Sequence, residues 1–185
     1  MHHAKRAELA ASIVDELTGK STFPDAPNGL FLAAARRTGK SEFLKQDLLP
    51  ALEDRGFPVV YVDLWADKKR SPMDLIAAEL AQAFNNSMGM VAQLARNSGL
   101  DSLNIAGIKI DTGKIGKTAG MTLHRVLSPI AQQSGKAVAL IIDEAQPALT
   151  TQDGDATMSA LKSARDQMRH DGEAGLALVA NDLRR

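Results

Sequence analysis

Residues 30–52 read LFLAAARRTGKSEFLKQDLLPAL, and the reading of this stretch decides the fold. The opening LFLAAA is a short apolar run of the kind that forms a buried strand. From Gly39 onward Phe43, Leu44, Leu48 and Leu52 recur at helical spacing, which predicts a helix over 39–55. Pro50 is expected to kink that helix or shorten it by a turn. A strand that feeds a tight turn and then a helix points the helix's first free N–H groups at the turn, where an anion can be held. Between strand and helix stands RRTGKS. The spacing G-x-x-x-x-G-K-[ST] of loops that cradle phosphate would put a glycine at position 34, where this chain has Ala34. Gly39, at the point where backbone meets phosphate, is present. Position 34 only eases the exit from the strand, and a methyl is tolerable there while φ stays negative. The same residues also spell an ordinary helix start, capped by Thr38 and preceded by two exposed arginines.

A second GK[ST] lies in DTGKIGKTAG, residues 111–120, at Gly116, Lys117 and Thr118. It follows LNIAGIKIDTG, whose alternating Ile105, Ile108 and Ile110 suggest a hairpin, and Gly120 weakens helix propagation directly after it. The first site has the better strand and the better helix. Enclosure is what makes such a loop effective. Two unit charges about 4 Å apart are worth roughly 1 kcal/mol in water and about 4 kcal/mol at an effective dielectric near 20.

Working outward, apolar strand-like runs alternate with helical patterns. PVVYVDLW, AVALIIDEAQ and GLALVAND read as further strands. Ser71, Pro72 and Asp74 form a helix start that continues through LIAAELAQAF, with a second, weaker helix in MVAQLARN. TLHRVLSPIAQQSG and DATMSALKSARDQMRH read as two more helices. Near the N-terminus, Leu9, Ile13 and Leu17 form one stripe of an amphipathic helix that Gly19 can end. Strands apolar almost throughout, separated by helices, argue for a parallel sheet covered on both faces.

Composition narrows the class. The chain has 185 residues, enough for one domain with a proper core, and is 44% hydrophobic and 24% charged. Formal net charge is zero, so there is no global basic field of the kind a nucleic-acid binder carries. With no cysteine, disulfides and thiolate metal sites are excluded, and a reducing cytoplasm is the expected location. The N-terminus lacks an apolar signal core, and AVALII is far too short to span a membrane. His2, His3, His124 and His170 show no metal-ligand spacing.

The chemistry comes from pairing the loop with ALIIDEAQ. An apolar strand ending in Asp143 and Glu144 delivers two carboxylates to its C-terminal end, where ligands sit in open α/β sheets. Asp143 is expected to hold Mg²⁺ through water, and Glu144 to orient or deprotonate an attacking water. An exposed acidic turn would use the same two residues. The loop and the acidic strand together are the signal.

At these residues the chain resembles a known family. AARRTGKS, PVVYVDLW and ALIIDEAQ are similar to the Walker A loop, second strand and Walker B strand of P-loop ATPases of the AAA-like, additional-strand class. The likeness is greatest to bacterial ATP-binding proteins with a GPRRTGKS-type loop and a DEAQ-type Walker B. It covers roughly residues 25–182. It implies an α/β three-layer sandwich with a mostly parallel sheet of P-loop NTPase type, ending after the fourth core strand. A helix over residues 1–20 would pack on an ATPase core of residues 21–185 that lacks the last strand and the C-terminal lid.

For the site the resemblance implies ATP and Mg²⁺, with Arg36, Arg37, Thr38, Gly39, Lys40, Ser41 and Glu42 around the nucleotide. Lys40 would take the β- and γ-phosphates, Ser41 and Asp143 the metal, and Glu144 the catalytic acid–base role. Asn181 would be a polar sensor of the γ-phosphate, a role that a strand-ending turn residue in the same place would not have. Gln146 would assist Glu144. An arginine finger is unassigned among Arg165, Arg169, Arg184 and Arg185. The family's sheet order, 5-1-4-3-2, would leave the loop strand at an edge here. The N-terminal helix, a partner or the rest of a longer chain would then cover it. The expected function is Mg²⁺-dependent ATP hydrolysis that moves a partner or an absent domain; the alternative is a non-hydrolysing, nucleotide-dependent interaction module. Self-association or another protein chain is the expected partner. No membrane is expected, and nucleic acid is not indicated.

Overall fold

A computed structural model describes residues 6–18, 30–34, 38–97 and 123–183 of the chain. Four strands form one all-parallel sheet: β1 (Leu30–Ala34), β2 (Val59–Asp63), β3 (Val138–Asp143) and β4 (Leu176–Leu183). Their order is β1-β4-β3-β2, the order the resemblance implies for these four. The expected hairpin of LNIAGIKIDTG and the second GK[ST], at 116–118, lie outside the described residues.

β3 sits centrally and every one of its residues is buried, which is why its sequence is apolar without alternation. Its side chains divide between two cores. Val138, Leu140 and Ile142 pack with Val60, Val62 and Leu176 under α4 (Pro72–Asn97), α5 (Leu123–Ser134) and α7 (Gln152–His170). Ala139 and Ile141 face the other way, with Ala177 and Val179, against α1 (Ala7–Leu17) and the helix that follows the loop. Helices therefore cover both faces, as in a three-layer α/β sandwich. Each fully buried Leu or Ile contributes about 1.5–3 kcal/mol of transfer free energy. No helix among the described residues is long and apolar enough to cross a membrane.

Five local expectations need correction. The stripe of α1 is Ala10, Ile13, Val14 and Leu17, while Leu9 is 48% exposed. Spacing of three and four residues selects that face, and Leu9 falls beside it. The expected pair LIAAELAQAF and MVAQLARN is one continuous α4, because the single Gly89 between them costs about 1 kcal/mol and no proline intervenes. The strand at 30–34 is not wholly buried, since Phe31 is 48% exposed on the outermost β1. AVALIIDEAQ is a strand only as far as Asp143, and a short helix that was not expected, α6 (Gln146–Thr150), begins at its last residue.

The fifth concerns Pro50. Instead of a kink or an early end, the rod runs as α2 (Lys40–Phe43), a π-helical turn over Leu44–Leu48, and α3 (Leu49–Asp54). Proline has no N–H to give the carbonyl four residues back, at Gln46, and its ring would collide with that carbonyl. A wider turn just before it accommodates both facts.

Candidate functional site

The loop closes as a left-handed turn. Gly39 has φ +74°, a conformation that costs a residue with a Cβ about 1–2 kcal/mol, so the glycine is required here. Lys40 and Ser41 begin α2 immediately afterwards. Arg36 and Arg37 lie outside the described residues.

β1 and β3 are not neighbours, yet the topology brings their C-terminal ends to one side of the sheet. The Ser41 hydroxyl donates to Asp143 Oδ1 at 3.1 Å, joining residues 102 apart in the chain. Asp143 is 1% exposed. Its other oxygen, Oδ2, accepts a hydrogen bond from the Tyr61 hydroxyl, and Oδ1 also accepts the Glu144 N–H at 3.0 Å. A buried carboxylate is thus held by three donors.

Tyr61 was not singled out by sequence reasoning, although the signal was present. In β2 Val60 and Val62 are buried while Tyr61 and Asp63 alternate with them, so Tyr61 shares a face with the strand's acidic end. Asp63 stands opposite Asp143 in register, and Tyr61 reaches up from one pleat below. The phenol pKa is pushed well above its ordinary value. The largest cause is burial, followed by the hydrogen bond to Asp143 and the negative charges of Asp143, Asp63 and Glu144. The phenol is therefore a fixed donor.

Glu144 is the one non-glycine residue among those described with positive φ, at 55°. Such a conformation persists only when its surroundings hold it. Asn181 does the holding: its Oδ1 accepts the Glu144 N–H at 2.8 Å, and its backbone carbonyl accepts the Ala145 N–H at 2.8 Å. Asn181 is 1% exposed, and its Nδ2 has no hydrogen-bond partner among the described residues. Gln146 starts α6 behind this turn.

A cleft of about 460 Å³ opens at this place, lined by Gly39, Lys40, Ser41, Glu42, Lys45, Gln46 and Glu144. Lys45 and Gln46 were not expected there. They stand three and four residues after Glu42, on the same side of the helical rod, within its π-helical turn. Lys45 Nζ also lies 4.9 Å from the Tyr61 ring centroid, within cation–π range. Thr38, exposed, precedes the cleft.

Other expectations fall elsewhere. Arg165 binds Asp166 at 3.0 Å and borders a separate groove with Leu30 and Phe31; Arg169 lies near Leu176. Arg184 and Arg185 are outside the described residues. His124 sits 3.2 Å from Asp171, in a packing role. Among the described residues, no group of three or more His, Cys, Asp or Glu side chains is placed to hold a metal. Mg²⁺ needs no such cage, because it keeps several waters and takes substrate phosphate oxygens beside one or two protein oxygens. Ser41 Oγ and Asp143 Oδ1 fit that sparse demand.

No protein-family model matches the chain, and a search of curated proteins finds no match.

Proposed function

We propose that this cleft binds a purine nucleoside triphosphate with Mg²⁺ and hydrolyses it, as in P-loop ATPases of the AAA-like, additional-strand class. The observation that carries the reading is the Ser41–Asp143 contact. A loop hydroxyl and a buried strand-end carboxylate meet beside a left-handed glycine and a lysine. Packing alone does not call for that combination.

Lys40 neutralises phosphate charge in a partly enclosed cleft, where the interaction exceeds its value in bulk water severalfold. Ser41 and Asp143 would hold Mg²⁺, which supplies charge neutralisation and orientation of the phosphates. Glu144, fixed by Asn181, presents a carboxylate in the cleft to take a proton from water. Asn181 Nδ2 is a buried donor that a phosphate oxygen would satisfy.

The test is calorimetric titration with a non-hydrolysable ATP analogue and Mg²⁺. Lys40→Ala is expected to abolish binding, and Glu144→Gln to keep binding while stopping turnover. Unchanged affinity in Lys40→Ala refutes the reading. The alternative reading, nucleotide binding without turnover by the isolated chain, uses the same Lys40, Ser41 and Asp143. Steady hydrolysis by pure protein, lost in Glu144→Gln, rejects it.

A further inference from the structure

The residue before α1 reaches across to the segment that leads into α2. Arg6 immediately precedes α1, and its carbonyl accepts the Ala10 N–H at 3.0 Å, so its backbone belongs to the helix's first turn. Its guanidinium crosses to the loop, where Nη2 donates to the Thr38 carbonyl at 2.8 Å across 32 residues of chain. The same group lies 5.7 Å from the Phe43 ring centroid. A Cβ built on Gly39 would come within 2.9 Å of Arg6 Nη2. One side chain thus meets the residue before the left-handed glycine, the glycine itself and the first turn of α2.

The contact has a directional consequence. In a trans peptide the C=O and the N–H point in opposite directions. With the Thr38 carbonyl held by Arg6, the N–H of the same peptide, that of Gly39, points away from Arg6, and Gly39 lines the cleft. The rest of α1 is seated on the rod that the loop begins: Ala10, Ile13, Val14 and Leu17 share a core with Phe43, Leu44, Leu48 and Leu52.

We propose that Arg6 is a positioning residue for bound phosphate, presetting the Thr38–Gly39 peptide so that the Gly39 N–H faces the anion. Through it, the seating of α1 and the occupation of the loop become one coupled equilibrium. This inference rests on the nucleotide reading of the cleft. Coupling of this kind is reciprocal: an occupied loop holds α1 more firmly, and a displaced α1 weakens binding by the same factor.

The experiment compares wild type, Arg6→Met and Arg6→Lys, with Lys40→Ala as the control for the cleft. Methionine keeps an apolar stem over Phe43 and deletes the donor; lysine keeps one donor. The probe is a non-hydrolysable ATP analogue with Mg²⁺, read by calorimetry and by hydrogen exchange of the α1 amides. Arg6→Met is expected to bind about tenfold more weakly, within the usual range of coupling between sites. Its α1 amides are expected to lose the slowing that the probe produces in wild type, while the melting temperature of the ligand-free protein stays within about 2 °C. Arg6→Lys is expected to recover part of the affinity. A merely structural Arg6 would move melting temperature and affinity together and leave the response of α1 intact. Binding by Arg6→Met equal to wild type, with Lys40→Ala inactive, overturns this inference alone. Failure of wild type itself to bind overturns the cleft reading and this inference with it.

Discussion

Tyr61 is the only tyrosine in the chain, so its titration can be followed without ambiguity by phenolate absorbance in the near ultraviolet. An unperturbed phenol titrates near pH 10. Here burial, then the hydrogen bond to Asp143 and the surrounding carboxylates raise the pKa. Below about pH 10 the folded and unfolded chains both keep the proton, and the contribution to stability is constant. Above it the unfolded chain releases a proton that the folded chain retains, so stability falls as pH rises. The slope is at most about 1.4 kcal/mol per pH unit. It will be smaller here, because the ring is only partly buried and solvent screens its charged neighbours.

At about pH 11 the ceiling of ~1.4 kcal/mol corresponds to a melting temperature lower by roughly 3–6 °C for a chain of this size. Tyr61→Phe removes the proton and the donor together. At neutral pH it is expected to cost about 1.5–3 kcal/mol, the value of a hydrogen bond to a charged group, towards the lower end because Asp143 keeps two other donors. The stability gap between wild type and Tyr61→Phe should then narrow above pH 10. Paired thermal melts across the alkaline range, with absorbance titration of wild type, measure it. A phenolate midpoint near 10 in a chain still folded by circular dichroism, or a gap that does not change with pH, would show that Tyr61 is not held on Asp143.

Two further outcomes are expected. A Cβ at Gly154 would meet Pro147 O at 2.5 Å and two backbone atoms of Ala148 at 2.7 Å, so Gly154→Ala must push α6 from α7. Overpacking of this kind costs about 1–3 kcal/mol, read as a lower denaturation midpoint with unchanged slope; a midpoint equal to wild type contradicts the helix contact. Asn181→Leu keeps the branched shape but removes one of the two acceptors of the Glu144 N–H, the other being Asp143 Oδ1, and should reduce stability by about 0.5–1.5 kcal/mol. Nucleotide analogue binding should survive within a few fold while hydrolysis is lost; turnover at the wild-type rate would leave Asn181 as a turn residue only.

The layers of the fold were legible because hydrophobic period carries that information directly. AVALII is apolar without alternation since β3 is covered on both faces, and Asp143 and Glu144 could be placed at its end by counting. The partners of those carboxylates were less accessible. Tyr61 reaches Asp143 across a strand pairing whose register no local pattern states, and Asn181 grips Glu144 from the strand on the other side. Arg6 lies still further from view: its contact with Thr38 depends on where α1 docks, which is set by packing on Leu44, Leu48 and Leu52 rather than by anything near residue 6. Glu144's left-handed backbone had no signal either, because nothing in DEAQ asks for it.

The π-helical turn at Leu44–Leu48 changes how this chain must be aligned with any other. A wider turn carries one more residue than the α-turn it replaces, so it behaves as a single-residue insertion inside a helix. Matched residue for residue with a regular loop helix, everything after Leu48 is one position out of phase. The gap belongs within Leu44–Leu48, not in the flanking loops where gaps are ordinarily placed. Pro50, two residues past the turn, is the mark by which other sequences carrying the same insertion can be found.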